Sequence, residues 1–216
     1  MDKKPKVIKY TELPADLKAS ADFVLRDEGE YDNLIFSGND FSGKTHYHLR
    51  FENIYFKGVN FSQAKIIDVK FSNIKFEDCD LANLKLEKAF VEKTEFIKCR
   101  MTGFKIIEGN IRDVLFKNSQ LKLSQFRLSK FKNSAFEHSL LEEADFYGAE
   151  LFKVVFCDSD LTKAEMSAAK LKETDFRTSK IAGLNIGIEG LKGAVIDPSQ
   201  ISDLAWLLGA KIEWKD

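Results

Sequence analysis

The chain has 216 residues, of which 44% are hydrophobic and 31% charged, and a formal net charge of −1. It is long enough to bury one substantial core, too ordinary in composition for a disordered chain, and too nearly neutral for its total charge to predict a nucleic-acid partner. No run of 18 or more apolar residues occurs, and the first residues, MDKKPKVIKYTELP, lack the apolar stretch of a signal peptide, so a soluble cytoplasmic protein with no membrane partner is the expectation.

Residues 1–30 read as an N-terminal cap. In TELPADLKASADF a short helix can start near Pro14, and Leu13, Leu17 and Phe23 are available to cover whatever follows.

From Phe36 to Ile181 a large residue returns every fifth position. Fifteen of these 30 centres are Phe, seven Leu, four Ile, two Met, one Val and one His. Two places before each centre lies a second column, which in the C-terminal half reads Ser119, Ser124, Ser129, Ser134, Ser139, Ala144, Ala149, Val154, Ser159, Ala164, Ala169, Thr174 and Ser179. The other three columns are mostly polar or charged. Five is the period of neither a helix nor a strand, so the pattern marks a repeat in which one large and one small residue in five face inward.

The units ADFYG (144–148), SDLTK (159–163) and TDFRT (174–178) resemble the pentapeptide-repeat family, whose consensus is roughly A-(D/N)-L-X-X. The resemblance implies an all-β fold: a right-handed quadrilateral parallel β-helix in which four pentapeptides make one coil of 20 residues. An independent check is available, because residues 20 apart should then stack. Phe36, Phe56, Phe76, Phe96, Phe116, Phe136, Phe156 and Phe176 are all phenylalanine, whereas the other centre columns are mixed. Stacked rings bury large area against identical neighbours. About eight coils, each rising by the strand spacing of roughly 4.8 Å, make a rod roughly 38 Å long over residues 31–196. Both ends of such a solenoid need caps.

Residues 197–216 carry a helix signal. Asp197 is a good N-cap, Pro198 suits the first helical position, and Gly209 supplies the stop. Ile201, Leu204, Ala205 and Leu208 fall on one face, while Trp206 and Leu207 lie off it and leave extra apolar surface. A short strand, Lys211 to Trp214, follows. This tail resembles that of the topoisomerase-protecting branch of the family, the Qnr and mycobacterial fluoroquinolone-resistance proteins. That resemblance implies a homodimer joined end to end through these residues.

No catalytic constellation emerges. His46 replaces Phe at a centre in the first coil and reads as a partly buried end-of-stack residue, and His48 and His138 face outward far apart. Cys79 and Cys99 stand one coil apart in the small column, as reduced core residues, and Cys157 faces out. No phosphate-binding glycine pattern and no metal-ligand spacing is present, so an enzyme is not expected and neither is a cofactor.

Charge is unevenly spread. Residues 65–135 carry 15 Lys or Arg against 9 Asp or Glu, with Lys65, Lys85 and Lys105 in one column, whereas residues 136–175 carry 4 against 10. The candidate partner-binding surface is therefore the acidic group Glu137, Glu142, Glu143, Asp145, Glu150, Asp158, Asp160 and Glu165, with Glu173 and Asp175 beyond it. If the C-termini meet, two acidic segments lie at the centre of a long rod. The resemblance implies a DNA mimic that binds DNA gyrase or topoisomerase IV, with quinolone protection as the consequence and no direct nucleic-acid contact. The absence of any loop interrupting the repeat is similar to the mycobacterial type. The alternative is a repeat scaffold that binds some other protein.

Overall fold

The computed structural model describes residues 11–20 and 24–209. Twelve strands, paired in parallel throughout, wind into one sheet around a solid core. They are β1 (Lys18–Ser20), β2 (Glu30–Ser37), β3 (Thr45–Lys57), β4 (Lys65–Glu77), β5 (Lys85–Glu87), β6 (Phe90–Ile97), β7 (Lys105–Ile107), β8 (Asn110–Lys117), β9 (Lys130–Lys132), β10 (Ala135–Glu137), β11 (Glu150–Phe152) and β12 (Val155–Cys157). From β2 onward every pairing offsets the chain by one 20-residue coil: Phe36 lies beside Phe56, Phe56 beside Phe76, and Phe136 beside Phe156. Above β12 the coils are joined by isolated bridges at the same offset, such as Asp160 with Lys180 and Glu165 with Asn185.

Each coil has four faces, named here by their central residues. Face I carries the phenylalanine column, face II Phe41 to Ile181, face III His46 to Ile186, and face IV Tyr31 to Leu171. All of these centres are buried, most of them to within 2%. The eight rings of face I stack with centroids 4.5–5.1 Å apart, and from Phe76 upward their planes lie within 10° of parallel. Burying each ring contributes about 1.5–3 kcal/mol. Eight rungs enclose seven intervals, so the solenoid makes about seven turns and is one coil shorter than a count of rungs gives.

A third periodic feature makes the corners. Every residue whose number ends in 3 or 8, from Glu28 to Glu173, has a left-handed backbone, with φ between 44° and 69°. Five of these thirty positions are glycine and the rest are mostly Asn, Asp, Lys and Glu. None is Val, Ile or Thr, because a β-branched side chain is a severe outlier there. Thr178 is the first β-branched residue to reach this position and the first to leave the left-handed region.

The small inward column solves a hydrogen-bonding problem at the corners. At the corner between faces I and II, from Cys99 upward, its amides turn away from the strand ladder into the core, where an unpaired N–H is costly. Serine hydroxyls of the next coil accept them. Cys99 N–H donates to Ser119 Oγ at 3.1 Å, Ser119 N–H to Ser139 Oγ at 3.2 Å, Ser139 N–H to Ser159 Oγ at 3.1 Å, and Ser159 N–H to Ser179 Oγ at 3.0 Å. Three of these hydroxyls in turn donate to core carbonyls, Ser119 Oγ to Phe96 O at 3.2 Å, Ser139 Oγ to Glu137 O at 3.0 Å and Ser159 Oγ to Phe136 O at 3.1 Å.

The N-terminal cap is a strand and not the expected helix. Residues near Pro14 form a turn, and β1 then pairs with β2, Lys18 beside Leu34. An added strand satisfies the open edge of the first coil, which a helix would leave unpaired. The preceding residues run along the flank: Thr11 N–H donates to Glu95 Oε1 at 3.2 Å, and Glu12 N–H to Asn73 Oδ1 at 3.1 Å. Leu13 and Leu17 are half-buried, and Phe23 lies outside the described residues.

The C-terminal cap is helical over 198–208, as one α turn (Ile201–Leu204) between two 3-10 turns. Asp197 caps it in a reciprocal box with Gln200, and Gly209 ends it at φ 65°. The buried side differs from the expected one. Leu204 is buried and Leu207 packs against the core, whereas Ile201 is 58% exposed and Trp206 49% exposed. The reason is Gln200, which is buried and donates through Nε2 to Phe176 O at 2.8 Å and Ser179 O at 2.6 Å. Seating that amide on two carbonyls of the last coil, one of them already accepting the Ser179 N–H, sets the rotation of the helix and turns Ile201 outward. Ala205 is half-buried; the side chain of Leu208 and the strand Lys211 to Trp214 lie outside the described residues. No described helix is long and apolar enough to cross a membrane.

Candidate functional site

Winding divides the acidic residues among all four faces. On face I, Glu137 is buried and paired with Lys117 at 3.0 Å, and Asp158 faces His138 at 3.9 Å. On face IV, Glu150 pairs with Lys170 at 3.0 Å, and that hydrogen bond and charge hold its carboxyl below the ordinary range. Neither face offers a free acidic surface. Glu173 and Asp175 are likewise matched, with Lys153 at 3.9 Å and Arg177 at 2.7 Å.

The other five gather on two adjoining faces. Glu142, Glu143 and Asp160 belong to face II, Asp145 and Glu165 to face III. Asp145 and Glu165 are successive rungs of one column. Asp145 pairs with Arg127 at 3.1 Å, and Asp160 with Lys180 at 3.2 Å. Burial works to raise Asp160, but hydrogen bonds from Thr162 and the Lys180 charge outweigh it and hold the carboxyl low. Burial also opposes ionisation of Glu165, and hydrogen bonds from Ser167 and Asn185 again prevail. Among the described residues no ion pair joins Glu142, Glu143 or Glu165 to a base, so this corner is where the negative charge is least compensated.

The opposite side is basic. On face IV of the same coils Lys130, Lys132, Lys170 and Lys172 are exposed, and the ammonium groups of Lys153 and Lys172 stand 5.0 and 5.4 Å from the centre of the Phe152 ring. Face III also changes sign along its length: Lys65, Lys85 and Lys105 stack in the lower coils, Gln125 follows, then Asp145 and Glu165. Lys65 and Lys85 converge on Glu87, at 3.2 and 2.6 Å.

The remaining chemistry-bearing side chains are structural. His46 is buried at the first rung of face III, and burial, set against the nearby Asp27 carboxylate, pushes its pKa down. His48 bonds to Asp68 at 2.7 Å on the surface. Cys79 and Cys99 are free thiols buried in the corner column, and burial pushes the Cys99 thiol up, away from reactivity. Among the described residues no three His, Cys, Asp or Glu converge as metal ligands. Several residues went unread in the sequence. Gln200 gave no signal, because one polar residue inside a helix pattern looks solvent-facing. Leu123 and Leu128 could have been found as the large apolar members of an otherwise polar column.

Two family models match the chain: one described as a pentapeptide repeat region over residues 72–146, and one described as pentapeptide repeats in eight copies over 139–177. No curated protein matches it. Among solved structures, a trypsin-treated form of QnrB1, a plasmid-mediated fluoroquinolone resistance protein, is similar at 15% identity and a TM-score of 0.48, covering 86% of this chain and 100% of that one. HetL, a pentapeptide repeat protein involved in heterocyst differentiation regulation in the cyanobacterium Nostoc, is similar at 14% identity and a TM-score of 0.38, covering 80% and 91%. With an unbroken five-residue register, 20-residue coils and both models falling within them, the chain belongs to the pentapeptide-repeat family.

Proposed function

We propose that the chain is a non-catalytic, cytoplasmic interaction rod that binds a type II topoisomerase through its acidic corner. The observation that carries this reading is the gathering of Glu142, Glu143, Asp145, Asp160 and Glu165 on two adjacent faces of a straight rod, three of them without a cationic partner among the described residues. A rod with negative charge along one edge offers the sign and shape of a DNA backbone to a protein surface built for phosphates. The choice of partner follows the resemblance of the repeat and tail to the topoisomerase-protecting branch. Exposed Ile201 and Trp206 support an end-to-end homodimer, which would bring two such corners onto one particle.

A second reading has its own observation in favour. The lysine column at 65, 85 and 105 and the basic face IV are foreign to a uniform phosphate mimic, and they suit a scaffold that holds a different protein. A gyrase supercoiling titration with the purified protein, with and without a fluoroquinolone, separates the two. Inhibition or drug rescue by a particle of dimer mass supports the topoisomerase reading. No effect across a wide concentration range removes it and leaves the scaffold, whose partner a pull-down would then have to identify.

A further inference from the structure

Of the thirty left-handed corner positions, only Leu123 and Leu128 hold a large apolar side chain. Both are 48% exposed. A leucine in this conformation is strained by about 1–2 kcal/mol, and half-exposure leaves little burial to offset it. The other non-glycine corner residues carry the same left-handed backbone, so what sets these two apart is exposed apolar area that neither the turn nor the core requires.

The two leucines stand at opposite ends of face III in one coil, with Arg127 between them. Tyr147, 39% exposed, lies in the next coil, where its carbonyl accepts the Leu128 N–H at 2.9 Å and its ring lies 4.7 Å from the Arg127 guanidinium. Leu140, 47% exposed, lies apart from them, above Gln120 at the far end of face II. The coil above Leu128 makes room for it: a Cβ at Gly148 would stand 2.7 Å from Leu128 Cδ2, so glycine there lets the leucine lie along the rod. Glu142 and Glu143 border the patch. The Leu123 end of the patch is tied to them by the backbone bond from Leu123 N–H to Glu142 O at 3.1 Å, and Glu142 Oε2 is buried with no hydrogen-bond partner among the described residues.

We infer that Leu123, Leu128 and Tyr147 are the apolar contact points of a docking surface for a basic amphipathic segment of a partner protein. Large apolar side chains of that segment rest on the leucines, and its lysines or arginines meet Glu142, Glu143 and Glu165. The charge complementarity selects the occupant: Arg127 between the leucines is met by Asp145 at 3.1 Å, whereas the carboxylates at the Leu123 end have no ion pair among the described residues, which fits a segment that is both greasy and positive. The inference rests on the acidic corner being the partner-facing side, and adds that contact there is not by charge alone.

The test uses the full chain, its L123N/L128N double variant, and three labelled helical peptides of about 18 residues: Leu/Lys, Ser/Lys of equal charge, and Leu/Glu. Asparagine suits the left-handed backbone, so the variant should melt no lower than the parent. The parent should bind the Leu/Lys peptide about tenfold more tightly than either control by fluorescence anisotropy, and the variant should lose that margin. Equal binding of Ser/Lys, a margin that survives in the variant, or a lowered melting temperature would each overturn the inference. A peptide margin alongside a silent gyrase titration removes the topoisomerase and keeps this surface, and gyrase inhibition without a margin does the reverse.

Discussion

At the corner between faces III and IV the lower coils place Leu49 and Val69, and the strand ladder of β3 and β4 continues past the bend, although His48 and Asp68 within it are left-handed. At the same corner the upper coils place Ser129, Ala149 and Ala169. There the bend closes with a turn hydrogen bond: Ser129 N–H to Phe126 O at 3.3 Å, Ala149 N–H to Phe146 O at 2.9 Å, and Ala169 N–H to Met166 O at 3.0 Å. The left-handed residue just before each bonded amide is the geometry of a type II turn. Strands accordingly shrink from 13 residues in β3 to three in β12, yet the 20-residue offset holds across both regions. Large inward residues fill the corner and leave the strand ladder running past it; small ones let it close with a turn hydrogen bond. The rungs fix the coil, and the corners are free to close in either way.

The largest effect should fall on what both regions share. Phe76→Ala in the lower coils and Phe136→Ala in the upper should each lose about 3–5 kcal/mol in urea unfolding, since each leaves a cavity between stacked rings. A much smaller loss in one region would mean that its corners, and not its rungs, hold it together. Next comes the serine ladder, which belongs to the upper coils. Ser139→Ala strands the Ser119 amide and should lose about 1–3 kcal/mol. Ser139→Cys, which restores the occupant found at Cys79 and Cys99, should recover part of that loss.

A smaller effect separates corner positions by handedness. Asn133, at φ 50°, should resist a β-branched replacement: Asn133→Val should lose about 1–2 kcal/mol and Asn133→Gly nearly nothing. Thr178→Val, outside the left-handed set, should lose less than Asn133→Val, only the exposed hydrogen bond that Thr178 Oγ1 accepts from Asp158 N–H at 2.9 Å. Equal losses at the two sites would show that handedness is not what excludes Val, Ile and Thr from this column.

The smallest effect is electrostatic. Asp68 is held low by the hydrogen bond from His48 and then Arg50, Glu87 by Lys85 and then Lys65, and Glu150 by Lys170. A carboxyl depressed in the folded state binds its proton less readily than in the unfolded chain. Its contribution is therefore complete above the unfolded value near 4 and is lost as pH falls through the folded value. The melting temperature should dip slightly as pH falls through about 6.5, where the unfolded chain protonates a histidine that burial keeps neutral at His46, and decline more steeply below about pH 4. A His46→Phe variant should remove the first step and keep the second; a first step that survives it would contradict this assignment.

The coil was legible because its two inward columns repeat without a slip, and the Phe36 to Phe176 column disclosed the 20-residue turn. The left-handed column was equally periodic but chemically mixed, so glycine alone drew attention and Asn33, Asn53 and Asn73 passed as ordinary surface. The ends lacked a repeat to read. Pro14 suggested a helix where an open strand edge demanded β1, and the buried amide of Gln200 turned Ile201 away from the face its spacing assigned. The acidic group was visible as a window of sequence, but a window of 40 residues is two coils and visits every face. Only five of its members fall on two adjoining faces.

The central claim is that one edge of the rod, and not its overall charge, meets the partner. The direct measurement is binding of DNA gyrase to two charge-reversed variants of equal net charge. Glu142→Lys with Glu165→Lys alters the corner of faces II and III, and Glu150→Lys with Glu173→Lys alters face IV. The account predicts that the first pair weakens binding by more than about tenfold while the second leaves it within about twofold. Equal weakening by both pairs, or loss confined to face IV, would contradict it.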